Sequence, residues 1–248
     1  MEVIAAWFQQ LYDATGVNLT IVYDGFDRRR FLWGLLTTIE LSAICIALSL
    51  VIGVVGAWAQ GVRSTVVRKA LQAYIQFFRN TPPLVQLYFF YFALGELLPK
   101  VPNDWGGMEP MLGGFTWAVI SLSFFAGAFN VEIFRSGIEA VPTATREAAE
   151  ALGYTRLQAY RHIVLPLAFR ISLPALNNNL VNLVKTTSLA YAIAVPELLY
   201  VSNQIWSDAV NVPEMMIVLL VTYVGLVSLL VWVMHRIERR LRLPGFGQ

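Results

Sequence analysis

Long apolar stretches separated by short basic or Pro/Gly-rich connections dominate this chain. Crossing a bilayer as a helix takes about 20 mostly apolar residues. Five segments meet that length, at about 31–60, 70–98, 115–137, 171–195 and 214–235. The first carries one charge, Glu40, near its start. Its Gly34, Gly53 and Gly56 are small residues that permit close helix contacts. The second is interrupted by Arg79-Asn80-Thr81-Pro82-Pro83, which predicts a bend or local unwinding because proline has no amide donor to keep a helix going. Ser121, Ser123, Gly127 and Ala128 suit the third to a helix contact, and the fifth is uniformly apolar up to a basic stop, HRIERRLRLPG. Residues 3–12, mixed and aromatic, predict a helix lying in the interface.

The fourth segment breaks the pattern. It carries Asn177, Asn178, Asn179, Asn182 and Lys185, then Thr186, Thr187 and Ser188. A charge at the centre of a membrane helix costs roughly 2.5–3.5 kcal/mol on insertion scales, so this helix must face protein or water. Two roles are open for its polar groups. Together with Arg79 and Thr81 they can line a pathway, Lys185 or Arg79 attracting a carboxylate while Asn178, Thr187 and Ser188 offer hydrogen bonds. Alternatively they only tie helices together, Lys185 pairing with Glu132 or with carbonyls of a partner subunit. Glu132 and Arg135 lie three apart and can share a helix face as an ion pair.

Composition narrows the class. Of 248 residues 57% are hydrophobic and 14% charged, against about 25% charged in soluble domains, so an all-α polytopic membrane protein is expected. A net charge of +2 gives no nucleic-acid footprint. The lone Cys45 and the separated His162 and His235 offer neither a disulfide framework nor a metal site, and no nucleophile–base pair suggests an enzyme. Glu2 stands where a secretion signal would be positive, so no cleaved signal is expected.

Lys and Arg set the orientation. Arg63, Arg68, Lys69, Arg135, Arg146, Arg156, Arg161, Arg170, Arg236, Arg239, Arg240 and Arg242 fall on one side, twelve in all, against Arg28, Arg29, Arg30 and Lys100, four, on the other. The twelve mark the cytoplasmic side, which puts the N-terminus outside and the C-terminus in the cytoplasm. The resulting plan is an extracytoplasmic or interfacial segment at 1–30, one membrane domain at 31–242 and a cytoplasmic tail at 243–248.

The largest cytoplasmic loop, about 138–170, contains EAAEALGYTRLQAYRHIVLP at 147–166. Pro142 and Thr143 open a turn, residues 145–152 favour helix, and Gly153 supplies a left-handed stop. Thr155 caps a second helix through Leu157, Tyr160, Ile163 and Val164, which Pro166 is expected to interrupt. Ala148 and Ala149 give the first helix a small-residue face for close approach of another backbone, rimmed by Arg146, Glu147, Glu150 and Arg156.

The order Glu147-Ala148-Ala149, Gly153, Ile163, Leu165-Pro166 resembles the cytoplasmic signature loop of ABC importer permeases. GLLTTIELS at 34–42, FFRNTPPLVQLYFFYF at 77–92, EIFRSGIEAVP at 132–142 and NLVKTTSL at 182–189 extend the resemblance to permeases of polar amino-acid importers, the histidine, glutamine, arginine and glutamate type. ELLPK after the second span and the closing ERRLRLPG look most like glutamate/aspartate permeases. Departures are Ala144-Thr145-Arg146 before the signature, Pro166-Leu167-Ala168 after it, and Lys185-Thr186-Thr187-Ser188 where the family often has Lys-Asp-Thr-Ser.

The resemblance implies a type I ABC importer permease fold of about five transmembrane helices in the bacterial inner membrane. It implies a second permease, identical or homologous, a docked ABC ATPase homodimer and an extracytoplasmic amino-acid-binding protein. No GxxxxGK[ST] loop occurs here, so ATP-Mg is expected on the ATPase and no cofactor on this chain. Glu147, Ala148, Ala149, Gly153, Ile163, Leu165 and Pro166 are the implied coupling residues. The competing class is a channel or secondary carrier for small polar solutes that needs no ATPase.

Overall fold

The computed structural model describes residues 2–102 and 105–241, so the expected tail at 243–248, Arg242 and the end of ERRLRLPG lie outside the described residues. The chain is almost entirely helical. In order come α1 (Glu2–Thr15), α2 (Thr20–Tyr23), α3 (Gly25–Gln60), α4 (Thr65–Asn80), α5 (Pro83–Tyr88), α6 (Gly114–Glu139), α7 (Thr143–Ala151), α8 (Arg156–Ala159), α9 (Leu165–Thr186), α10 (Leu198–Ala209) and α11 (Val212–Leu241). A small antiparallel ribbon, β1 (Lys100–Pro102) with β2 (Met108–Pro110), interrupts the Pro/Gly-rich connection after α5, Val101 facing Glu109.

Among the described residues three helices are long and apolar enough to cross a membrane: α3, α6 and α11. They match the first, third and fifth expected segments. The other two take different forms. The second is broken where the Arg79–Pro83 run predicted: α4 ends at Asn80, Thr81 is extended at φ −115°, ψ 145°, and α5 restarts at Pro83 before relaxing into a π turn at Phe89–Leu94. Pro83 stands first in its helix, the one place where a missing N–H costs nothing. The fourth is α9, whose asparagines lower its hydropathy, followed by a 3-10 turn at Thr187–Ile193.

The residues group into two compact units, one comprising Met1–Ile44, Leu84–Leu122 and Val184–Ser228, the other Cys45–Pro83, Ser123–Leu183 and Leu229–Gln248. The core of the first unit is Phe31, Leu198, Val201, Ile205, Met215 and Leu219. The chain before α3 is tied to the α10–α11 corner by polar contacts. Asn18 donates its amide to Glu214 at 2.9 Å and its side-chain nitrogen to the Ala209 carbonyl at 3.2 Å, and Asn211 donates back to the Asn18 carbonyl at 2.9 Å.

Glu197 holds the start of α10 in the same unit. Its carboxylate, fully buried, accepts the amides of Leu199 and Tyr200 at 2.9 and 2.8 Å and the Tyr223 hydroxyl at 3.1 Å. Burial pushes the carboxyl from its ordinary 4.5 up to about 7, while the two amides and the hydroxyl pull the other way. Between those values the folded protein binds this proton more tightly than the unfolded chain, so stability falls as pH rises from about 4.5 to about 7. Thermal unfolding of the solubilised protein should therefore shift down across that window, by roughly 3 kcal/mol at most. Glu197→Gln should flatten the profile, and an equal slope in both proteins would remove Glu197 as its source.

In the second unit, α3 and α6 meet through small residues. A Cβ on Gly56 would stand 2.3 Å from Val131 Cγ2, one on Gly53 2.5 Å from Asn130 Cβ, and one on Gly127 2.6 Å from Ile52 Cγ2. Glycines on each helix thus receive a side chain of the other, the close approach expected of Gly53 and Gly56. A further cluster, Val141, Val164, Leu167 and Ala168, packs beneath the α7–α9 loop with Ile138 and Ile171.

Candidate functional site

The loop at 138–170 is a helix, a left-handed break and a second helix, as the sequence predicts. α7 ends at Ala151, and Gly153 takes φ +87°, a conformation that glycine adopts without penalty. Backward hydrogen bonds close the corner, from Gly153 N to Glu150 O at 3.0 Å and from Tyr154 N to Ala149 O at 3.1 Å. Thr155 and Gln158 form a reciprocal capping box at the start of α8.

Two expectations are corrected. Pro166 does not interrupt the second helix. The backbone widens into a π turn at Tyr160–Val164 and continues as α9 from Leu165, with Pro166 second in that helix. The one-residue insertion just ahead of the proline accommodates its ring and its missing amide. Ala149 does not belong to an outward small-residue face. It is 2% exposed, whereas Glu147 and Ala148 are exposed. α7 packs against α8 and the π turn, and Ala149 and Ala159 are both buried in this corner. Among the other coupling residues Gly153, Leu165 and Pro166 are exposed and Ile163 is half-buried.

The structure adds residues that the motif did not single out. Leu152 and Leu157 are 79% and 76% exposed, and Leu152, Gly153, Tyr154, Gln158 and His162 line a depression of about 370 Å³. A capped, hydrogen-bonded corner thus holds large apolar side chains out as an exposed patch. Their signal in the sequence was weak, because leucine between helix formers reads equally well as core.

The polar residues of α9 divide by helical phase. Asn179 is buried and donates to Asn130 Oδ1 at 2.8 Å and to the Ala126 carbonyl at 3.0 Å, and Asn130 donates to Ser49 Oγ at 3.2 Å. This asparagine ties helices together. Asn178, Asn182 and Lys185, spaced four and three apart, are exposed along one face. Thr187 is fully buried, its hydroxyl donated to the Val184 carbonyl at 2.7 Å, and the half-buried Ser188 donates to the Lys185 carbonyl at 2.8 Å. The Thr187 hydroxyl therefore serves its own turn, not an open surface.

Arg79 lies at the end of α4, immediately before the break. Its Nη1 stands 3.8 Å from Glu132 Oε2, and its guanidinium lies over the Phe129 ring at 5.4 Å. The expected Glu132–Arg135 pair forms, with Arg135 Nη2 2.9 Å from Glu132 Oε2, and Arg135 also reaches Glu139 at 2.7 Å. Gln60 donates to Glu132 Oε1 at 3.4 Å. Glu132 is therefore engaged by arginines, and among the described residues no carboxylate pairs with Lys185. Thr81 donates to the Phe77 carbonyl at 2.7 Å, capping the broken helix.

The exposed capped corner, the broken span and the polar-faced span suit a membrane transport subunit. Over residues 49–243 the chain matches the family described as binding-protein-dependent transport system inner membrane component, and it belongs to that family. It is accordingly a multi-pass membrane transport component and not an enzyme. It is 34% identical over 229 residues to the probable glutamine ABC transporter permease protein GlnM of Bacillus subtilis (strain 168), covering 91% of this chain and 98% of that one. It is 30% identical over 174 residues to the glutamate/aspartate import permease protein GltJ of Escherichia coli (strain K12), covering 69% and 71%. A chain from the crystal structure of an amino acid ABC transporter with histidines superposes with a TM-score of 0.75 at 27% identity, covering 86% of this chain and 94% of that one. The permease fold expected from the resemblance is thus the fold observed.

Proposed function

We propose that this chain is the permease subunit of an ATP-driven importer of a polar amino acid, glutamate/aspartate or glutamine. It forms half of the pathway with a second permease, identical or homologous. A separate ATPase homodimer, which holds the ATP-Mg, docks on the 143–164 corner, and an extracytoplasmic binding protein delivers substrate. The N-terminus is outside and the C-terminus in the cytoplasm. The observation that carries the reading is the capped corner with its exposed Glu147, Ala148, Leu152 and Leu157, in a chain whose named relatives include glutamine and glutamate/aspartate permeases. Closure of the ATPases pushes the corner, and the continuous π turn into α9 carries the displacement to the polar face.

The test is uptake of labelled glutamate, aspartate and glutamine into proteoliposomes holding the complete assembly. Uptake should require ATP and the binding protein. Transport by this chain alone without ATP would favour the channel or carrier reading instead. Lys185, exposed on the polar face with Asn178, supplies attraction for a carboxylate. Losing one charge-assisted contact of 1.5–3 kcal/mol should lower uptake by Lys185→Met about tenfold or more. Unchanged apparent affinity and rate would reject that role.

A further inference from the structure

Where the ends of α3 and α6 adjoin the 138–170 loop, a groove of about 400 Å³ opens in the second unit, lined among others by Val55, Trp58, Phe134, Ile138, Tyr160 and Phe169. It follows from the packing of the glycine seam. Gly53 and Gly56 lie against Asn130 and Val131 and let the two helices approach closely, while Val54, Val55 and Trp58, on the neighbouring phase of α3, are exposed. Trp58 follows Val54 by four residues, Ile138 follows Phe134 by four and Phe169 follows Leu165 by four, so each helix gives the groove one apolar stripe. Ala57 and Ala168 are the small residues of its wall.

Among the described residues no charged side chain lines the groove. Trp58 stands two residues from the end of α3 and Ile138 one from the end of α6, so the apolar stripes finish where these two spans leave the hydrocarbon. Trp58, 70% exposed, and Tyr160 are at that end, the depth at which amphipathic rings concentrate. Two arginines lie just beyond. Arg63, in the turn after α3, and Arg161, next to Tyr160 and four residues ahead of Leu165, are both exposed, and neither makes an ion pair or hydrogen bond among the described residues. Arg146 and Arg156 on the same loop are engaged, by the Ile138 carbonyl and by Glu150. An apolar slot that ends at aromatic rings and unpaired cations has the polarity of a phospholipid, its acyl chain inside and its anionic headgroup outside.

We propose that this groove holds an acyl chain of an anionic phospholipid, with Arg63 and Arg161 binding the phosphate-bearing headgroup. On the orientation proposed above, the lipid belongs to the cytoplasmic leaflet. Tyr160 opens the π turn that joins the corner to α9, so an occupied groove stands against the segment through which the corner moves that helix.

The test places the purified permease–ATPase assembly in phosphatidylcholine nanodiscs with a sub-saturating amount of phosphatidylglycerol that carries a photoreactive acyl chain, and maps the labelled peptides by mass spectrometry. Label should concentrate on residues 54–58, 134–138 and 160–169, and unlabelled phosphatidylglycerol should displace it. A phosphatidylcholine with the same photoreactive chain should label these peptides about tenfold less or lower. Arg63→Gln and Arg161→Gln should each reduce phosphatidylglycerol labelling about fivefold and leave phosphatidylcholine labelling unchanged. Val55→Trp, at an exposed wall position, should fill the groove and reduce both. Equal labelling by the two lipids, label spread evenly onto the exposed face of α11 at Leu220 and Val224, or wild-type labelling in the double arginine variant would each overturn the site. An unlabelled groove in a transport-active assembly would show that another subunit covers it, and would overturn the site as well. Failure of the assembly to import any amino acid, with the labelling intact, would instead overturn the importer reading.

Discussion

Ala149→Glu should abolish ATP-driven uptake and release the ATPase from the purified assembly. Ala149 is 2% exposed, and its carbonyl accepts the Tyr154 amide that closes the corner after Gly153. A glutamate there must either bury an unpaired carboxylate, at a cost of several kcal/mol, or push α7 off α8. Either way the surface presented by Glu147, Ala148, Leu152 and Leu157 loses its shape. The comparison is Ala148→Glu, one residue earlier and exposed. It should leave the thermal stability of the permease within about 0.5 kcal/mol of wild type and affect only ATPase docking. Co-purification of the ATPase, thermal unfolding and uptake are measured on both variants. Full uptake with normal ATPase stoichiometry in Ala149→Glu would show that the corner does not carry the coupling.

Gly56→Leu should be severely damaging, preventing recovery of folded protein or lowering its unfolding temperature sharply. The Cβ alone would stand 2.3 Å from Val131 Cγ2, with Asn130 and Ile52 filling the neighbouring gaps beside Gly53 and Gly127. Overpacking of a tight seam costs about 1–3 kcal/mol and more when backbone must move. The polar clamp in the same unit, Asn179 to Asn130 to Ser49, is worth less, since interhelical hydrogen bonds in membranes average about 0.6 kcal/mol. Shape complementarity therefore outweighs polar pairing here, and Asn179→Leu should be milder than Gly56→Leu. Gly225→Leu is the control, because nothing lies within 4 Å of a Cβ built at that position. Equal effects of Gly56→Leu and Gly225→Leu on stability would refute the packing argument.

Much of the architecture was legible because it depends on residues near one another in the chain. The apolar runs became α3, α6 and α11, the Arg79–Pro83 run broke its helix, Gly153 took a left-handed turn, and Thr155 found its partner three residues on at Gln158. The Glu132–Arg135 pair formed because three residues is nearly one helical turn. Glu197 was passed over because its hydroxyl partner, Tyr223, is 26 residues away. The Asn18–Asn211 clamp spans 193 residues, a distance that no local pattern reports.

The sequence by itself determined that this is a helical membrane protein with a helix–break–helix loop, since hydropathy, proline, glycine and capping act within a turn or two; its transport role came from the resemblance of its motifs to importer permeases. Only the tertiary structure decided which way the loop and the polar helix face. Ala148 and Ala149, or Asn178 and Asn179, are adjacent and chemically alike, yet one of each pair is exposed and the other buried. Successive helical residues diverge by about 100°, so the packing of neighbouring helices determines which residue is buried and which remains exposed.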